Sequence, residues 1–184
     1  MNEIKFMGRG GQGTVIASQM LGLAFFKAGL YPQCFSVFGG ERRGAPVMSF
    51  LRVDEEKILL KCGIRNPNEL IYLDDSLIDT ADIRSSLRTG GRICINTDQT
   101  YESLNPLHSY TLALIDARKI AKNLGLGRIM NTAILGGYWK MVDHHPLKSL
   151  LSAVEDTIPA KKQENLAAVL QAYESVTIYE PSQE

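Results

Sequence analysis

The residues most able to do chemistry lie in a glycine-rich stretch near the amino terminus. Gly8-Arg-Gly-Gly-Gln-Gly13 follows the apolar residues Ile4 and Phe6 and precedes a proline-free run from Thr14 to Lys27. This pattern predicts a strand, a loop and a helix. Glycines let another group approach the main chain, and the unpaired N–H groups of a first helical turn attract anions. We therefore predict an anion site formed by Gly8, Arg9, Gly10, Gly11, Gln12 and Gly13, with the Arg9 guanidinium facing phosphate or carboxylate.

The same glycines also fit the dinucleotide-binding fingerprint. That fingerprint needs an acid about 20 residues further on to hold a ribose hydroxyl. Here the first acid after the second predicted strand is Glu41, which lies further along the chain and is followed by two arginines. A ribose contact is therefore disfavoured. A loop that only closes a tight connection between strand and helix remains an alternative.

A second glycine-flanked loop, from Gly39 to Pro46, carries Arg42 and Arg43. In a doubly wound sheet, the loops after the first strands border one crevice at the carboxyl ends of the strands. We therefore expect both arginines to bind anions beside the first loop. Ion pairs at a subunit interface explain these arginines equally well, because arginine is favoured in both settings.

Strands and helices alternate along the chain, which is typical of an α/β domain. We predict strands at 34–38, 70–73, 92–96 and 110–115, and helices from about 76 to 87 and at 117–124, 128–142, 147–157 and 161–176. Residues 47–53 and 58–62 are expected to form a β-hairpin, so the sheet is mixed although mostly parallel. The predicted fold is one three-layer α/β/α Rossmann-like domain over 1–184, with a frayed tail at 177–184.

Composition excludes several classes of function. The formal net charge is zero, so no long-range field attracts nucleic acid or an acidic membrane surface. The sequence contains neither an apolar run long enough for a bilayer nor a secretory signal, so we expect a cytoplasmic protein. Cys34, Cys62 and Cys94 lie far apart, and we expect buried reduced thiols without a disulfide, zinc or iron–sulfur site.

Other polar residues are given structural roles. Asp74 and Asp75 stand where a strand meets a helix, so capping is favoured over a catalytic carboxylate pair. His144 and His145 have no third ligand near them in the sequence, so we expect solvated loop residues rather than a metal site. Asn131 opens an apolar helix and is expected to serve as its N-cap.

Several motifs together resemble the γ subunit, or the corresponding γ domain, of the 2-oxoacid:ferredoxin oxidoreductases, particularly members acting on pyruvate and branched-chain 2-oxoacids. The matching segments are Gly8 to Gly13, Phe38 to Val47, Leu70 to Asp75 and Asn131 to Gly136, in the order that the family has. The resemblance extends from about Ile4 to about Tyr173. Residues 62–67 depart from the acidic or serine-containing segment that the family often has before the fourth strand. This departure leaves the family resemblance in place but does not indicate which 2-oxoacid is the substrate.

The resemblance implies a multi-subunit enzyme that decarboxylates a 2-oxoacid on thiamine diphosphate with Mg, reduces ferredoxin through iron–sulfur clusters and forms acyl-coenzyme A. Its partners would be thiamine-binding and ferredoxin-like chains. This sequence lacks a Gly-Asp-Gly diphosphate motif and clustered cysteines, so we predict no catalytic residue, no metal site and no activity alone. Coenzyme A phosphates would meet the two loops, and the resemblance makes Asn131 a candidate contact with a cofactor or a neighbouring subunit.

Two rival functions stay open. The first is a stand-alone NAD(P)-dependent dehydrogenase that uses Gly8 to Gly13 as a true fingerprint, and the second is a non-catalytic docking module. Binding of NADH or of coenzyme A to the chain separates them. The sequence decides neither which 2-oxoacid is used nor whether the isolated chain forms a homodimer.

Overall fold

The chain folds around a seven-stranded sheet, and the computed structural model describes residues 1–37 and 44–182. The strands are β1 (Asn2–Arg9), β2 (Tyr31–Val37), β3 (Pro46–Asp54), β4 (Glu69–Tyr72), β5 (Arg92–Asn96), β6 (Thr111–Ile115) and β7 (Thr177–Tyr179). The helices are α1 (Thr14–Lys27), α2 (Thr80–Ser86), α3 (Ala117–Asn123), α4 (Asn131–Val142), α5 (Leu147–Thr157) and α6 (Lys162–Ser175), with short 3-10 helices at Asp75–Leu77 and Tyr101–Leu107.

The strand order is β2-β3-β1-β4-β5-β6-β7. The neighbours β1, β4, β5 and β6 pair in parallel, whereas β3 runs antiparallel to both β1 and β2, and β7 runs antiparallel to β6. Five of the seven strands therefore point the same way. The prediction of a mixed, mostly parallel sheet is confirmed.

Strand β1 joins the antiparallel and the parallel parts of the sheet. Ile4 pairs with Leu51 of β3 on one side and with Glu69 of β4 on the other. Since side chains alternate between the faces of a strand, Ile4 and Phe6 enter one core while Met7 packs against the other. A single strand thus serves both faces of the sheet.

Helices cover both faces unequally, which gives the predicted three layers. Helices α1, α3, α4, α5 and α6 pack on the face that holds Ile4, Phe6 and Ile71. The opposite face is covered by α2 and the 3-10 helix Tyr101–Leu107, around Tyr72 and Ile83. The described ranges 1–37 and 44–182 hold no helix long and apolar enough to cross a membrane.

Capping residues decide where several helices begin. Asp116, directly before the helix predicted at 117–124, accepts a hydrogen bond from the Lys119 amide at 2.9 Å and caps the start of α3. The helix predicted from about residue 76 is divided instead. Asp74 caps the 3-10 helix Asp75–Leu77, and Asp79 caps α2 by accepting from the amides of Ala81 and Asp82.

The predicted hairpin of residues 47–53 and 58–62 is wrong. The first segment is β3, but Ile58 to Cys62 form no strand. Both edges of β3 are already paired, with β1 and with β2, so no position remains for a third neighbour. The antiparallel hairpin of the fold is formed by β2 and β3. At the other end of the chain, Thr177–Tyr179 form β7 on β6, within the segment that we expected to be frayed.

Candidate functional site

The glycine loop connects β1 to α1, as its composition predicts. Gly13 occupies the N-cap position of α1 with φ 80° and ψ 28°, the left-handed conformation in which a side chain is strained. A Cβ added at Gly13 would also lie 2.8 Å from Nδ2 of Asn131. Glycine is therefore required here both by backbone conformation and by the close approach of Asn131.

The first turn of α1 presents uncapped N–H groups. No side chain caps the helix, and its first turn contains no acidic residue. The first intrahelical bond runs from the Ala17 amide to the Gly13 carbonyl oxygen at 2.8 Å. The amides of Thr14, Val15 and Ile16 therefore find no main-chain acceptor among the described residues. Such a turn is suited to an anion, because the N–H groups and the helix dipole both favour negative charge.

The Arg9 side chain braces the loop. Its Nη2 donates to Ser76 Oγ at 2.8 Å, its Nη1 donates to the Gly44 carbonyl oxygen at 3.2 Å, and its Nε lies 3.5 Å from Oδ2 of Asp74. These contacts tie the end of β1 to the start of β3 and to the loop after β4. Although Arg9 lines the cleft beside the loop, its guanidinium is engaged on three sides by the protein.

Gln12 also has a positioning role. Its Oε1 accepts a hydrogen bond from the Arg9 amide at 2.7 Å, and its Nε2 donates to Oδ2 of Asp74 at 2.7 Å. Burial alone would raise the pKa of the Asp74 carboxyl, but hydrogen bonds from Ser76 and Gln12 and the charge of Arg9 outweigh it, so the pKa lies below its usual value. Asp74 is thus an ionised anchor for the glycine loop.

Gly8 allows the loop to fold back on the helix that follows it. A Cβ at this position would collide with Oγ1 of Thr14 and would lie 3.2 Å from Oε1 of Gln12. Thr14 Oγ1 is itself buried, with no hydrogen-bond partner among the described residues. Gly8 therefore has a packing role, while the uncapped helical turn lies at the other end of the loop.

Asn131 approaches the glycine loop from the other half of the chain. It is only 2% exposed and is the first residue of α4; the N-cap position belongs to Met130, so the expectation that Asn131 is the N-cap is wrong. Its Oδ1 accepts from the Thr132 amide at 2.9 Å. Its Nδ2 has no acceptor within residues 1–37 and 44–182. The side chain lines the same cleft as Gly13.

A cleft of about 940 Å³ opens beside the loop. Among its described lining residues the charged ones are Arg9 and Lys161, both cations, which favours an anionic ligand. Much of the remaining wall is apolar, suiting a ligand that also has an uncharged body. The larger apolar side chains of the wall are Val15, Ile16, Val37, Val47, Leu126, Ile129 and Ile158.

Two of the expected site residues, Arg42 and Arg43, lie outside the described residues. The remaining ones, Gly8 to Gly13 and Asn131, are brought to one place although 118 positions separate Gly13 from Asn131. Lys161 was missed. No local motif marks it, and its position in the cleft depends on the packing of α6 against α4. Asp74 could have been found, because it follows β4 at the sheet edge where the glycine loop follows β1.

The cysteines and histidines form no metal site in the described part of the chain, where no group of three or more His, Cys, Asp or Glu side chains could hold an ion. All three cysteines are free, but the expectation that all are buried is wrong. Cys94 is buried in β5, whereas Cys34 on edge strand β2 and Cys62 are exposed. The Cys34 Sγ still lies against α1, 3.4 Å from the Ser18 carbonyl oxygen, and burial of the thiol raises its pKa to about 11.

Fold and cleft together define an α/β/α domain in which an uncapped helix N-terminus opens into a largely apolar cleft. The sequence matches the family described as pyruvate ferredoxin/flavodoxin oxidoreductase over residues 3–175, and the chain belongs to this family. This membership favours the oxidoreductase subunit over the stand-alone dehydrogenase among the functions considered from the sequence.

Individual relatives agree over nearly the whole chain. The chain is 42% identical over 185 residues to the pyruvate/ketoisovalerate oxidoreductases common subunit gamma of Thermococcus litoralis, covering 98% of this chain and 100% of that protein. It is 40% identical over 179 residues to pyruvate synthase subunit PorC of Methanothermobacter marburgensis, and the match covers 96% of this chain and 98% of that protein. The crystal structure of pyruvate oxidoreductase subunit PORC from Thermotoga maritima superposes with a TM-score of 0.83 at 29% identity. The superposition covers 97% of this chain and 98% of that chain.

Proposed function

We propose that this chain is the γ subunit of a multi-subunit 2-oxoacid:ferredoxin oxidoreductase. The complex oxidatively decarboxylates a 2-oxoacid such as pyruvate, reduces ferredoxin, and releases carbon dioxide and acyl-coenzyme A. Family membership over residues 3–175 and the full-length γ-type relatives support this assignment. We place the complex in the cytoplasm.

The chain's own contribution is to bind coenzyme A. The observation that carries this proposal is the uncapped N-terminus of α1, which opens into a cleft whose charged lining residues, among those described, are cations. Main-chain N–H groups at such a turn bind phosphate without a proton transfer. The residues we propose for this site, whether they touch the ligand or hold the loop in shape, are Gly8, Arg9, Gly10, Gly11, Gln12, Gly13, Arg42, Arg43 and Asn131, together with the main-chain amides of Thr14, Val15 and Ile16.

The residues divide into contacts and supports. The free amides of Thr14, Val15 and Ile16 face the phosphates, whereas Gln12 and Arg9 hold the loop in shape through Asp74. The apolar wall at Ile129 and Ile158 covers the uncharged part of the ligand. By fixing the phosphorylated end, the chain orients the thiol end toward the partner chain that forms the acyl group.

Thiamine diphosphate with Mg and the iron–sulfur clusters belong to the partner chains in this proposal. Clusters and metal–diphosphate sites need several converging thiolates or carboxylates. In the described residues Cys94 is enclosed in β5 while Cys34 and Cys62 are exposed elsewhere, and no acid joins them in a group of three. These donors do not fit such a group, so the chain is predicted to be inactive alone.

Steady-state kinetics of the reconstituted complex test the coenzyme A role. Gly13→Ala should raise the KM for coenzyme A, because the new Cβ strains the left-handed turn and displaces Asn131. Turnover at saturating coenzyme A should stay near the wild-type value. Gly63→Ala is the matched control, because a Cβ there meets nothing within 4 Å and should leave the KM unchanged.

The docking-module alternative predicts a different result. If the glycine loop only contacts a partner subunit, Gly13→Ala weakens assembly, measured by sedimentation or gel filtration, while the KM of the assembled fraction stays the same. That outcome would refute coenzyme A binding by this loop but would leave the subunit assignment in place. Oxidation of pyruvate by the chain without partners would contradict the assignment itself.

A further inference from the structure

Helices α4 and α6 lie side by side and run in the same direction. Near their starts Thr132 Oγ1 donates to Asn165 Oδ1 at 2.9 Å, and near their ends Lys140 Nζ lies 5.0 Å from the ring centre of Tyr173. A Cβ on Gly136 would collide with the carbonyl oxygen of Val169, so the two helices approach to backbone contact. Both N-termini therefore lie at the same end of the helical layer.

That shared end opens into the cleft. Asn131 at the start of α4 and Lys161 at the N-cap of α6 both line it. The N-cap residues Met130 and Lys161 form no capping hydrogen bond, although Oδ1 of Asn131 accepts from the Thr132 amide in the first turn of α4. Parallel neighbours bring the positive ends of two helix dipoles together, which favours a negative charge placed between them. Glu164 in the first turn of α6 is the acid on these elements nearest in sequence to this end, and it does not line the cleft.

The Asn131 side chain is an independent sign of a ligand at this position. It is 2% exposed, its Oδ1 is satisfied by the Thr132 amide, and its Nδ2 has no acceptor in the described part of the chain. Because the side chain lines the cleft, Nδ2 is a donor that a ligand in the cleft can reach. An anion in the cleft beside the N-terminus of α4 supplies that partner.

We propose that the joint N-termini of α4 and α6, with Nδ2 of Asn131, form a second anion subsite that takes the 3′-phosphate of coenzyme A. The diphosphate occupies the glycine loop at α1. This inference rests on the coenzyme A role proposed above. Coenzyme A carries its diphosphate and its 3′-phosphate on one ribose, so their two subsites must adjoin. They do, because the Asn131 amide lies against Gly13.

Dephospho-coenzyme A, which lacks only the 3′-phosphate, tests the assignment. Dissociation constants for both compounds are measured by competition on the assembled oxidoreductase that contains the full chain. We expect wild-type enzyme to bind coenzyme A at least about tenfold more tightly than the dephospho compound, since hydrogen bonds to a charged group are lost. Asn131→Asp keeps the acceptor for Thr132 but replaces the Nδ2 donor by a negative charge. Because Asn131 also lies beside the diphosphate loop, the new charge should weaken binding of both compounds. It should weaken binding of coenzyme A more, which reduces the difference between their dissociation constants to within about threefold.

Asn123→Asp is the matched control, since it makes the same chemical change at the exposed end of α3, outside the cleft, and should alter neither constant. If wild-type enzyme binds both compounds equally, or if Asn131→Asp leaves their difference unchanged, the second subsite is refuted while coenzyme A binding stands. If neither compound binds, the proposed coenzyme A role fails as well.

Discussion

Gln12 and Asp74 are joined across the carboxyl edge of the sheet by a hydrogen bond of 2.7 Å between Nε2 and Oδ2. The same Gln12 side chain accepts from the Arg9 amide. The loop after β4 therefore helps to fix the shape of the loop after β1, so the proposed anion site depends on Asp74, which lies outside the proposed contacts. Hydrogen bonds from Ser76 and Gln12 hold the Asp74 carboxylate in place.

The Gln12 and Asp74 side chains should contribute jointly, and not independently, to the free energy of unfolding. We expect Gln12→Ala and Asp74→Ala to be non-additive in a double-mutant cycle of urea unfolding, with a coupling free energy of about 0.5–1.5 kcal/mol. Asp98→Ala is the control, because it removes an exposed acid that forms no side-chain hydrogen bond with the described residues. Its effect on the free energy of unfolding should simply add to that of Gln12→Ala. A coupling no larger than that of the control pair would contradict the anchoring role of Asp74.

The surroundings of the Asp75 carboxyl predict how the free energy of unfolding changes at low pH. Burial would raise the pKa of the Asp75 carboxyl, but hydrogen bonds from Thr97 and Arg118 and the charge of Arg118 outweigh it and lower the pKa. A carboxyl with a depressed pKa stabilises the fold fully above its unfolded pKa of about 3.9 and loses that contribution as the pH falls through the folded pKa.

Chemical unfolding at a series of pH values checks this. Between about pH 5 and pH 3, the free energy of unfolding of Asp75→Asn should fall less steeply than that of the wild type. Glu174→Gln removes a carboxylate charge from an exposed position that forms no ion pair or side-chain hydrogen bond with the described residues, and it should retain the wild-type slope. Equal slopes for wild type and Asp75→Asn would refute the contribution of Asp75.

Substitution by alanine should destabilise the fold far more at Gly136 than at its neighbour Gly137. A Cβ at Gly136 meets the backbone of Val169, which cannot rotate away, whereas a Cβ at Gly137 meets side-chain methyls of Ile115 and Val176 at 3.3 and 3.4 Å. We expect Gly136→Ala to lower the unfolding free energy by about 1–3 kcal/mol because α4 and α6 must separate. Gly137→Ala should change it by less than about 1 kcal/mol, since alanine favours helix. Thermal and urea unfolding decide this, and equal effects would contradict backbone contact between the helices.

The buried pair of Tyr138 and Glu69 offers another test. Both residues are 0% exposed. The Tyr138 hydroxyl donates a hydrogen bond to the Glu69 carboxylate, which also forms an ion pair with Arg92. Burial and the carboxylate of Glu69 raise the pKa of Tyr138 well above its usual value, so the hydroxyl keeps its proton and donates. Tyr138→Phe removes one donor from a buried carboxylate and should cost about 1–3 kcal/mol of unfolding free energy.

Tyr173→Phe is the matched control for that variant. The Tyr173 hydroxyl donates to the exposed Asp143 at 3.0 Å, where water replaces it readily. We expect a change within about 0.5 kcal/mol. Similar losses for the two variants in the same unfolding assay would mean that the Glu69 contact adds nothing beyond the loss of a hydroxyl.

Local sequence patterns predicted the helices and strands but not which of them lie side by side in the fold. The bounds of α1, α5 and β5 agree with the sequence because apolar spacing, proline and glycine act within a few residues. The hairpin prediction failed because strand pairing is non-local: Ile58 to Cys62 is apolar enough for a strand, yet both edges of β3 are taken. Likewise, no local signal distinguishes exposed Cys34 from buried Cys94, since that depends on which strand forms an edge.

The candidate site divides in the same way. The glycine loop could be predicted because its composition, the preceding strand and the following helix are all local. Asn131 entered only through the family resemblance, and its contact with Gly13 is visible only in the folded chain. The meeting of α4 and α6 was unpredictable from their patterns, which show two apolar helices but not that they are parallel.

Strand β1 divides its alternate residues between two separate cores, with Ile4 and Phe6 on one side and Lys5 and Met7 on the other. Deleting one residue from β1 would exchange these sides, pointing an ammonium group into an apolar interior and leaving aromatic surface without a cover. Shortening this strand is therefore far more damaging than substituting any single residue within it. Libraries that sample deletions should find β1 intolerant along its whole length.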